Sequence, residues 1–270
     1  MKNTYGSQQG DAWLRNRIGR ITGSRIADVC SYLSRNSGDK KVGDPSGKRD
    51  DYRLELIFER LCGRAKDHYN SPSMQRGSDL ENDARLFYEG VVRQMCEPVN
   101  FVLHPRYDFT GASPDSLVGA EGVLEVKCLL PWNHLKYAIA QKAPDEYLPQ
   151  VAWELACTGR KWVDFVLYCP DILGCDALRF FYRRIGRDEL QWTVGAGKDE
   201  HLLTGEAVID YFTSEVLKLN AEIEYFMAEH EAKPVAPFPV VVLEEGQPDD
   251  VGDLGIGEEE LAILDRAGKQ

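Results

Sequence analysis

The most informative stretch of this chain reads Ala112-Ser-Pro-Asp-Ser-Leu-Val-Gly-Ala-Glu-Gly-Val-Leu-Glu-Val-Lys-Cys128. Near its end, apolar residues alternate with Glu125 and Lys127. This period of two predicts a buried strand that places the carboxylate and the ammonium on one face. In such a strand the two side chains stand about 6.8 Å apart along the backbone. Both can therefore serve one metal-bound phosphate.

A second acid, Asp115, lies ten residues before Glu125. The Gly119-Ala-Glu-Gly122 turn between them lets the two segments pair as neighbouring strands. Pro114 predicts an irregular or edge position just before the acid. Charges within an apolar strand are costly unless they pair or bind a metal. The stretch therefore predicts metal-dependent cleavage of phosphodiester bonds, and the alternative is a hairpin with a surface Glu–Lys pair.

The composition is that of a chain with one substantial core, since 43% of its 270 residues are hydrophobic. No run approaches 18 apolar residues, so we expect no membrane span. The first ten residues lack the apolar stretch of a signal peptide, which predicts a cytoplasmic location. The seven cysteines are scattered without a C-x-x-C pair. This spacing fits neither a zinc site nor a disulfide framework.

The acidic charge is divided between two parts of the chain. Of the net charge of −12, residues 232–270 carry −6, because they hold nine acids and three bases. Residues 1–231 carry the other −6. This acidic balance counts against non-specific coating of DNA. Because the local charge distribution decides binding, the balance does not exclude an enclosed, metal-assisted site. We predict a folded domain over 1–231 and an acidic, proline-containing tail over 232–270.

The periodicity predicts an α/β domain. Helices are predicted over residues 11–17, from 22–24 onwards, and over 51–62, 78–95, 131–140, 145–158 and 204–231. Strands are predicted near 99–103, 109–112, 116–118, 123–129, 162–169 and 177–183. The polar residues 34–50 are predicted to form a loop. The order along the chain is helices, then a mixed sheet interrupted by helices, then a long helix that covers the sheet or forms a subunit contact. This order predicts a three-layer fold.

Several short motifs follow one another along the chain. They are Gln9-Gly-Asp-Ala-Trp13, Arg17, Ile21-Thr-Gly-Ser24, Arg76-Gly-Ser-Asp-Leu-Glu-Asn-Asp-Ala-Arg85, Ala112-Ser-Pro-Asp-Ser116, Leu124-Glu-Val-Lys-Cys128 and Leu148-Pro-Gln-Val151. In this order they resemble the motifs of lambda exonuclease and the YqaJ-type viral recombinases, which belong to the PD-(D/E)XK nuclease superfamily. The resemblance covers about residues 8–170. It implies a three-layer PD-(D/E)XK core within an exonuclease domain over 1–231.

Two positions depart from the family pattern. Ser116 stands where many members have glycine after the acid, and Leu129-Leu-Pro131 replaces a proline directly after Lys-Cys. The first change alters the turn without removing a ligand.

The resemblance implies a metal site whose ligands are Asp115, Glu125, the Val126 carbonyl and, directly or through water, Glu81. Carboxylate oxygens without a thiolate suit Mg²⁺ or Mn²⁺, and two ions per site are expected. Lys127 would orient the attacking water or help to deprotonate it. Gln150 would position that water or Lys127. As alternatives, Glu81 is an ordinary helix-surface acid and Gln150 only flanks its helix.

The resemblance also implies that Arg17, Ser24 and Ser113 hold the 5′-phosphate of a DNA end. A serine at a helix start beside a guanidinium makes a sound anion site. The alternative for Arg17 is an ion pair with an acid elsewhere in the fold.

The implied function is a Mg²⁺-dependent exonuclease that degrades one strand of linear double-stranded DNA from its 5′ end. It would release 5′-mononucleotides and leave a 3′ single strand for recombination in the bacterial host of a phage or prophage. The resemblance further implies a ring-shaped homo-oligomer, a trimer, and a single-strand annealing protein as partner, with the acidic tail as one candidate docking surface. Two alternatives stay open: a restriction- or repair-type endonuclease, and a non-catalytic DNA-end binding or scaffold protein.

Overall fold

The structure, a computed structural model, describes residues 3–4, 11–66, 72–195 and 200–235. Within these residues the helices are α1 (Asp11–Arg17), α2 (Ile26–Val29), α3 (Gly47–Cys62), α4 (Pro72–Val92), α5 (Pro131–Ala140), α6 (Leu148–Thr158), α7 (Asp176–Arg179) and α8 (Glu206–Glu229). The strands are β1 (Asn3–Thr4), β2 (Ile21–Thr22), β3 (Cys96–Pro98), β4 (Phe101–Leu103), β5 (Thr110–Ala112), β6 (Ser116–Val118), β7 (Gly122–Lys127), β8 (Trp162–Tyr168), β9 (Phe180–Gly186), β10 (Gln191–Val194) and β11 (His201–Thr204).

The main sheet has the strand order β3-β6-β7-β8-β9 among the described residues. β6 and β7 form an antiparallel hairpin, β8 runs parallel to β7, and β9 returns antiparallel to β8. A parallel pair needs a crossover connection, and α5 and α6 supply it between β7 and β8. The mixed sheet interrupted by helices is therefore confirmed.

The two faces of this sheet pack against different helices, which follows from the period of two in β7. Leu124 and Val126 point to α4, where they join Ala84 and Tyr88 in one buried cluster. Val123 points the other way, into the larger core formed with α2, α3, α6 and α8. Glu125 and Lys127 share the face of Val123 because they lie two and four residues after it. Helices on both faces give the predicted three-layer fold.

Helix α6 lies in the middle of the larger core. Its residues from Val151 to Thr158 are all buried, which is the pattern of a helix covered on every side. It begins after the 3₁₀ turn Asp145–Tyr147, with proline in its first turn, and ends at Gly159, whose φ is 69°. The predicted helix over 145–158 is thus confirmed, with its first turn in the 3₁₀ form.

A smaller sheet, in the order β1-β4-β5-β2, lies beside the main one. β2 runs parallel to β5, so the segment after β2 and the segment after β5 leave the sheet at the same end. Gly111 in β5 allows the close packing, since a Cβ there would lie 2.6 Å from both the Phe101 ring and the Val102 carbonyl oxygen. This sheet brings the N-terminal motifs next to Ser113.

The structure corrects several predicted boundaries. α3 begins at Gly47, four residues early, because Ser46 caps it by accepting a hydrogen bond from Arg49 N at 3.4 Å. α4 begins at Pro72 rather than 78. The strand predicted at 99–103 is β4, which begins only at Phe101, and the short strand β3 before it was not predicted. The strand predicted at 177–183 begins as α7, and the antiparallel ribbon of β10 and β11 was not predicted.

Helix α8 is the long amphipathic helix predicted over 204–231. Val208, Phe212, Val216 and Ile223 enter the larger core, where the helix packs against α2, α3 and α6. After it, Val235 N donates a hydrogen bond to the Arg60 carbonyl oxygen at 2.9 Å. The rest of the predicted tail, 236–270, lies outside the described residues. No described helix is long and apolar enough to cross a membrane.

Candidate active site

The hairpin of β6 and β7 brings Asp115 beside the strand that carries Glu125. Asp115 directly precedes β6, and its Oδ2 accepts a hydrogen bond from Val126 N at 2.6 Å. The turn is sharp because Gly119 adopts a φ of 51°, which a side chain would strain. The predicted pairing of the two segments is therefore confirmed, and two acids ten residues apart meet at one end of β7.

Glu125, Lys127 and Gln150 form one connected polar cluster between β7 and α6. Lys127 Nζ donates to Glu125 Oε1, and the amide of Gln150 donates to the same oxygen at 2.6 Å. Lys127 Nζ also lies 3.4 Å from Gln150 Oε1 and 5.1 Å from the ring centre of Tyr147. Glu125 is only 1% exposed. The carboxylate and ammonium thus share one face of the strand, as the alternation predicts.

Glu81 reaches the same cleft from α4, and with Glu154 from α6 four acids line it. Burial raises the pKa of Asp115 well above its ordinary value, and the charges of Glu125 and Glu81 raise it further. Burial and the Glu125 charge likewise raise the pKa of Glu81. Burial alone would lower the pKa of Lys127, but the Glu125 and Asp115 carboxylates outweigh it and raise that pKa. The cleft therefore holds more negative charge than its one ammonium offsets.

The donor set of this cleft fits a hard divalent cation. Glu125 Oε2 is buried and has no hydrogen-bond partner among the described residues. Cys128 also lines the cleft, and burial and then Asp115 raise the pKa of its thiol to about 12, so the thiol is neutral in the metal-free cleft. Among the residues described, no three His, Cys, Asp or Glu side chains converge closely enough to hold a metal by themselves. A further ligand must therefore be a carbonyl oxygen or water, which suits Mg²⁺ and Mn²⁺.

A second polar group on the wall of this cleft brings together Arg17, Ser24 and Ser113. Arg17 donates to Ser113 Oγ at 3.1 Å and to Ser24 Oγ at 3.4 Å. Trp13 Nε1 donates to Ser113 Oγ at 3.0 Å, and the Arg17 guanidinium lies 4.5 Å from the centre of the Trp13 ring. Nothing in the described part of the chain places a carboxylate within ion-pair distance of Arg17. Its charge is thus left for an anionic ligand.

Ser24 differs in one respect from its prediction. It lies in the 3₁₀ turn Gly23–Arg25, followed by the four-residue helix α2, so it does not begin a long helix. A helix dipole therefore adds little, and the groups that face an anion here would be the two hydroxyls and the guanidinium. Gly23 lets this turn approach β5, since a Cβ there would lie 3.3 Å from the Ala112 Cβ.

One cleft of about 680 Å³ is lined by the acids described above and by Arg17, Ser24 and Ser113, which we call the arginine-serine group. Comparison with known proteins identifies the family of the chain. Residues 12–161 match the model of the YqaJ-like viral recombinase domain. The chain belongs to the YqaJ-like viral recombinase family. This membership supports a nuclease function connected with recombination.

Solved structures agree with this membership. An alkaline exonuclease from Laribacter hongkongensis, LHK-Exo, is 32% identical with a TM-score of 0.66, covering 82% of this chain and 98% of that chain. Its complex with dAMP gives 33% identity and a TM-score of 0.65 over the same shares. A phage-related exonuclease from Haemophilus somnus 129PT, 13% identical with a TM-score of 0.59 over 78% and 96%, shares the fold. No curated protein sequence matches the chain.

One buried polar residue of this YqaJ-like domain escaped the sequence analysis. Glu154 follows Gln150 by one helical turn, is 0% exposed, and accepts a hydrogen bond from Gln150 Nε2 at 2.9 Å. The signal was available, because Glu154 is the only charge in the apolar run from Val151 to Thr158. An acid in such a run is costly unless it has a polar partner, which is the reasoning applied to Glu125.

Proposed function

We propose that this YqaJ-like protein is a Mg²⁺-dependent (or Mn²⁺-dependent) exonuclease that degrades one strand of linear double-stranded DNA in the 5′-to-3′ direction. It would release 5′-mononucleotides and leave 3′ single-stranded DNA for phage-type recombination. One observation carries the proposal: acids suited to a divalent cation and an arginine-serine group suited to a phosphate line the same cleft. A terminal phosphate and a scissile phosphate can then be bound together.

In this proposal Asp115, Glu125 and the Val126 carbonyl hold the metal, with Glu81 contributing directly or through water. Two bound ions would polarise the phosphate, lower the pKa of water and stabilise the leaving 3′ oxygen. Lys127 orients the attacking water and offsets phosphate charge, as its position beside Glu125 allows. Gln150, which contacts both Lys127 and Glu125, keeps these two side chains in register.

The direction of degradation would come from Arg17, Ser24 and Ser113. A guanidinium with two hydroxyls binds a terminal phosphate, with its two negative charges, better than an internal phosphodiester. A strand that ends in a 5′-phosphate would therefore be placed with its first internal linkage toward Lys127 and the acids.

Processivity would require a further feature, because a chain of net charge −12 repels DNA at long range. A ring-shaped homo-oligomer, a trimer, would hold DNA by enclosing it. A single-strand annealing protein would receive the 3′ strand, and residues 232–270 are one candidate docking surface for it. The reaction would take place in the cytoplasm of a bacterial host. Light scattering that finds a monomer would overturn the ring.

The test of the proposed activity compares four substrates in Mg²⁺: linear duplex with 5′-phosphate, linear duplex with 5′-hydroxyl, single-stranded DNA and closed circular duplex. We expect mononucleotides from linear duplex, faster with 5′-phosphate, and none from the circle. Replacing Arg17 by Gln should remove the preference for phosphate while leaving some degradation. Chelation of the metal should stop it.

Two outcomes would favour the alternatives. Cutting of the closed circle would show an endonuclease with the same metal-binding acids. Absence of cleavage with either Mg²⁺ or Mn²⁺, together with retained binding to DNA ends, would show a non-catalytic end-binding protein.

A further inference from the structure

Glu154 is a buried acid that the proposed reaction does not use directly. It lies on α6 between Trp153 and Leu155, and all three residues are 0% exposed. Its Oε2 has no hydrogen-bond partner among the described residues. A buried carboxyl group with an unsatisfied oxygen destabilises the fold relative to an apolar residue of similar size. Stability therefore does not account for this residue.

The side chain of Glu154 contacts the polar cluster through Gln150, and its carboxyl group also lies beside that of Glu125. Gln150 Nε2 donates to Glu154 Oε1 at 2.9 Å and to Glu125 Oε1 at 2.6 Å. Both amide hydrogens therefore face carboxyl oxygens, while Gln150 Oε1 faces Lys127 Nζ at 3.4 Å. A reversed amide would place its oxygen against two carboxyl groups and its NH₂ against an ammonium. Glu154 is thus one of the groups that determine which way this amide points.

We propose that Glu154 is a positioning residue, which acts through Gln150 to hold the Glu125 carboxylate and the Lys127 ammonium in their working arrangement. This inference rests on the proposed function of the same cleft. Because Glu154 Oε1 can accept the amide hydrogen whether the carboxyl is protonated or ionised, the role does not depend on its charge. Residues that do not touch the metal but orient its ligands contribute to function: their removal lowers metal affinity or activity by about 10- to 100-fold.

A purely structural role makes the opposite prediction for stability. If Glu154 served only the fold, replacement by an apolar residue would lower the melting temperature and disturb all functions together. As a positioning residue, Glu154 carries a burial cost that its replacement relieves. The variant Glu154→Met should therefore melt at the same or a higher temperature while it loses activity.

The first experiment compares the wild type with Glu154→Met and Glu154→Gln. For Glu154→Met we expect a kcat about 10- to 100-fold lower, a KM for 5′-phosphorylated ends within about twofold, and Mn²⁺ affinity weakened about 10-fold or more. The Mn²⁺ affinity is measured by electron paramagnetic resonance on the protein without DNA. Glu154→Gln keeps an acceptor oxygen for Gln150, so its kcat and Mn²⁺ affinity should stay within a few-fold of wild type.

The second experiment tests whether Glu154 acts through Gln150. In a Gln150→Met background, Glu154→Met should cause little further loss of kcat or Mn²⁺ affinity, because the connection is already broken. Losses that multiply in the double variant would overturn the inference. So would a Glu154→Met protein with unchanged kcat and Mn²⁺ affinity, or one whose losses accompany a lower melting temperature and are shared by Glu154→Gln.

Failure of this inference can be told from failure of the proposed function. If the wild type degrades no DNA end with either metal, the proposed function is wrong. The Mn²⁺ affinities then test the inference alone: a weaker affinity in Glu154→Met supports it, and equal affinities overturn it.

Discussion

At the scale of single residues, the candidate site places several carboxyl groups close together in a buried cleft. Asp115, Glu81 and Glu125 approach one another closely enough that burial and mutual repulsion raise the pKa values of the first two. A divalent cation bound between the carboxylates would attract each of them and offset their mutual repulsion. Metal binding and proton binding should therefore compete for the same carboxyl oxygens.

This competition predicts a pH-dependent effect of Mg²⁺ on stability. Because the pKa of Asp115 is raised in the folded chain, the protonated carboxyl stabilises the metal-free fold at low pH, and this contribution is lost as the pH rises through the folded pKa. Mg²⁺ should therefore raise the melting temperature by several degrees at pH 8 and by little at pH 5. Thermal unfolding with and without Mg²⁺ at the two pH values measures this.

The matched variant is Asp115→Asn, which keeps the size of the side chain and removes the charge. We expect it to melt higher than the wild type at pH 8 without metal, to gain little from Mg²⁺, and to lose activity by on the order of 10³-fold, since metal assistance contributes several kcal/mol. A wild-type melting temperature that ignores Mg²⁺ at both pH values would contradict the proposed metal site.

At the scale of elements, α3 holds the turn that positions Arg17. The turn between α1 and β2 contains Gly19 at a φ of 69°, with its N–H donated to Glu59 Oε2 at 2.8 Å. The carbonyl of Gly19 accepts from Arg60 Nε at 2.9 Å. Two consecutive side chains of α3 thus bind the backbone N–H and C=O of the same residue. Arg17 lies two residues before Gly19. The contacts at the end of α3 therefore stabilise the backbone that carries Arg17 in the proposed phosphate-binding site.

Replacing Glu59 by Ala should therefore weaken the recognition of 5′-phosphate more than the chemistry. The buried Gly19 N–H would lose its acceptor, which costs about 1–3 kcal/mol of unfolding free energy. We expect the rate ratio between 5′-phosphorylated and 5′-hydroxyl duplex to fall about threefold to tenfold, a factor worth about 1 kcal/mol. Asp51→Ala, at an exposed acid of the same helix, is the control. An unchanged ratio in a folded Glu59→Ala protein would show that α3 does not position Arg17.

At the scale of the whole molecule, the charge of the chain opposes its proposed substrate. The net charge is −12, and residues 236–270 contribute −7 of it through nine acids and two bases. Removing these residues leaves −5. Long-range repulsion of this kind is screened by salt, with a Debye length of about 10 Å at 0.1 M and about 3 Å at 1 M.

A chain that ends at Val235 should therefore capture DNA ends faster than the full chain at low ionic strength. We expect its KM to be about two- to tenfold lower at low salt, with kcat unchanged and the difference absent at high salt. A full-length variant with the nine tail acids changed to their amides separates charge from length. Equal KM values at low salt would show that the tail charge does not influence DNA capture.

Local patterns predicted much of the molecule correctly. The alternation around Glu125 and Lys127 and the glycine turn before them depend on neighbouring residues only, so β6, β7 and their hairpin could be read directly. Long periodic segments such as α8 were equally clear. Boundaries were less accurate where the evidence was weak or distant: α4 begins within a polar stretch, and the unpredicted strand β3 is defined by its pairing with β6.

The amino-acid order by itself determined the mixed three-layer fold, the family and the strand that carries an acid and an amine side by side. Only the tertiary structure decided that Glu59 and Arg60 of α3 bind the turn at Gly19, and that Glu154 joins the cluster through Gln150. The physical reason is that alternation and helical period act within a few residues. Contacts between remote segments depend on how the two sheets and α6 pack, and one chain pattern is compatible with many such packings.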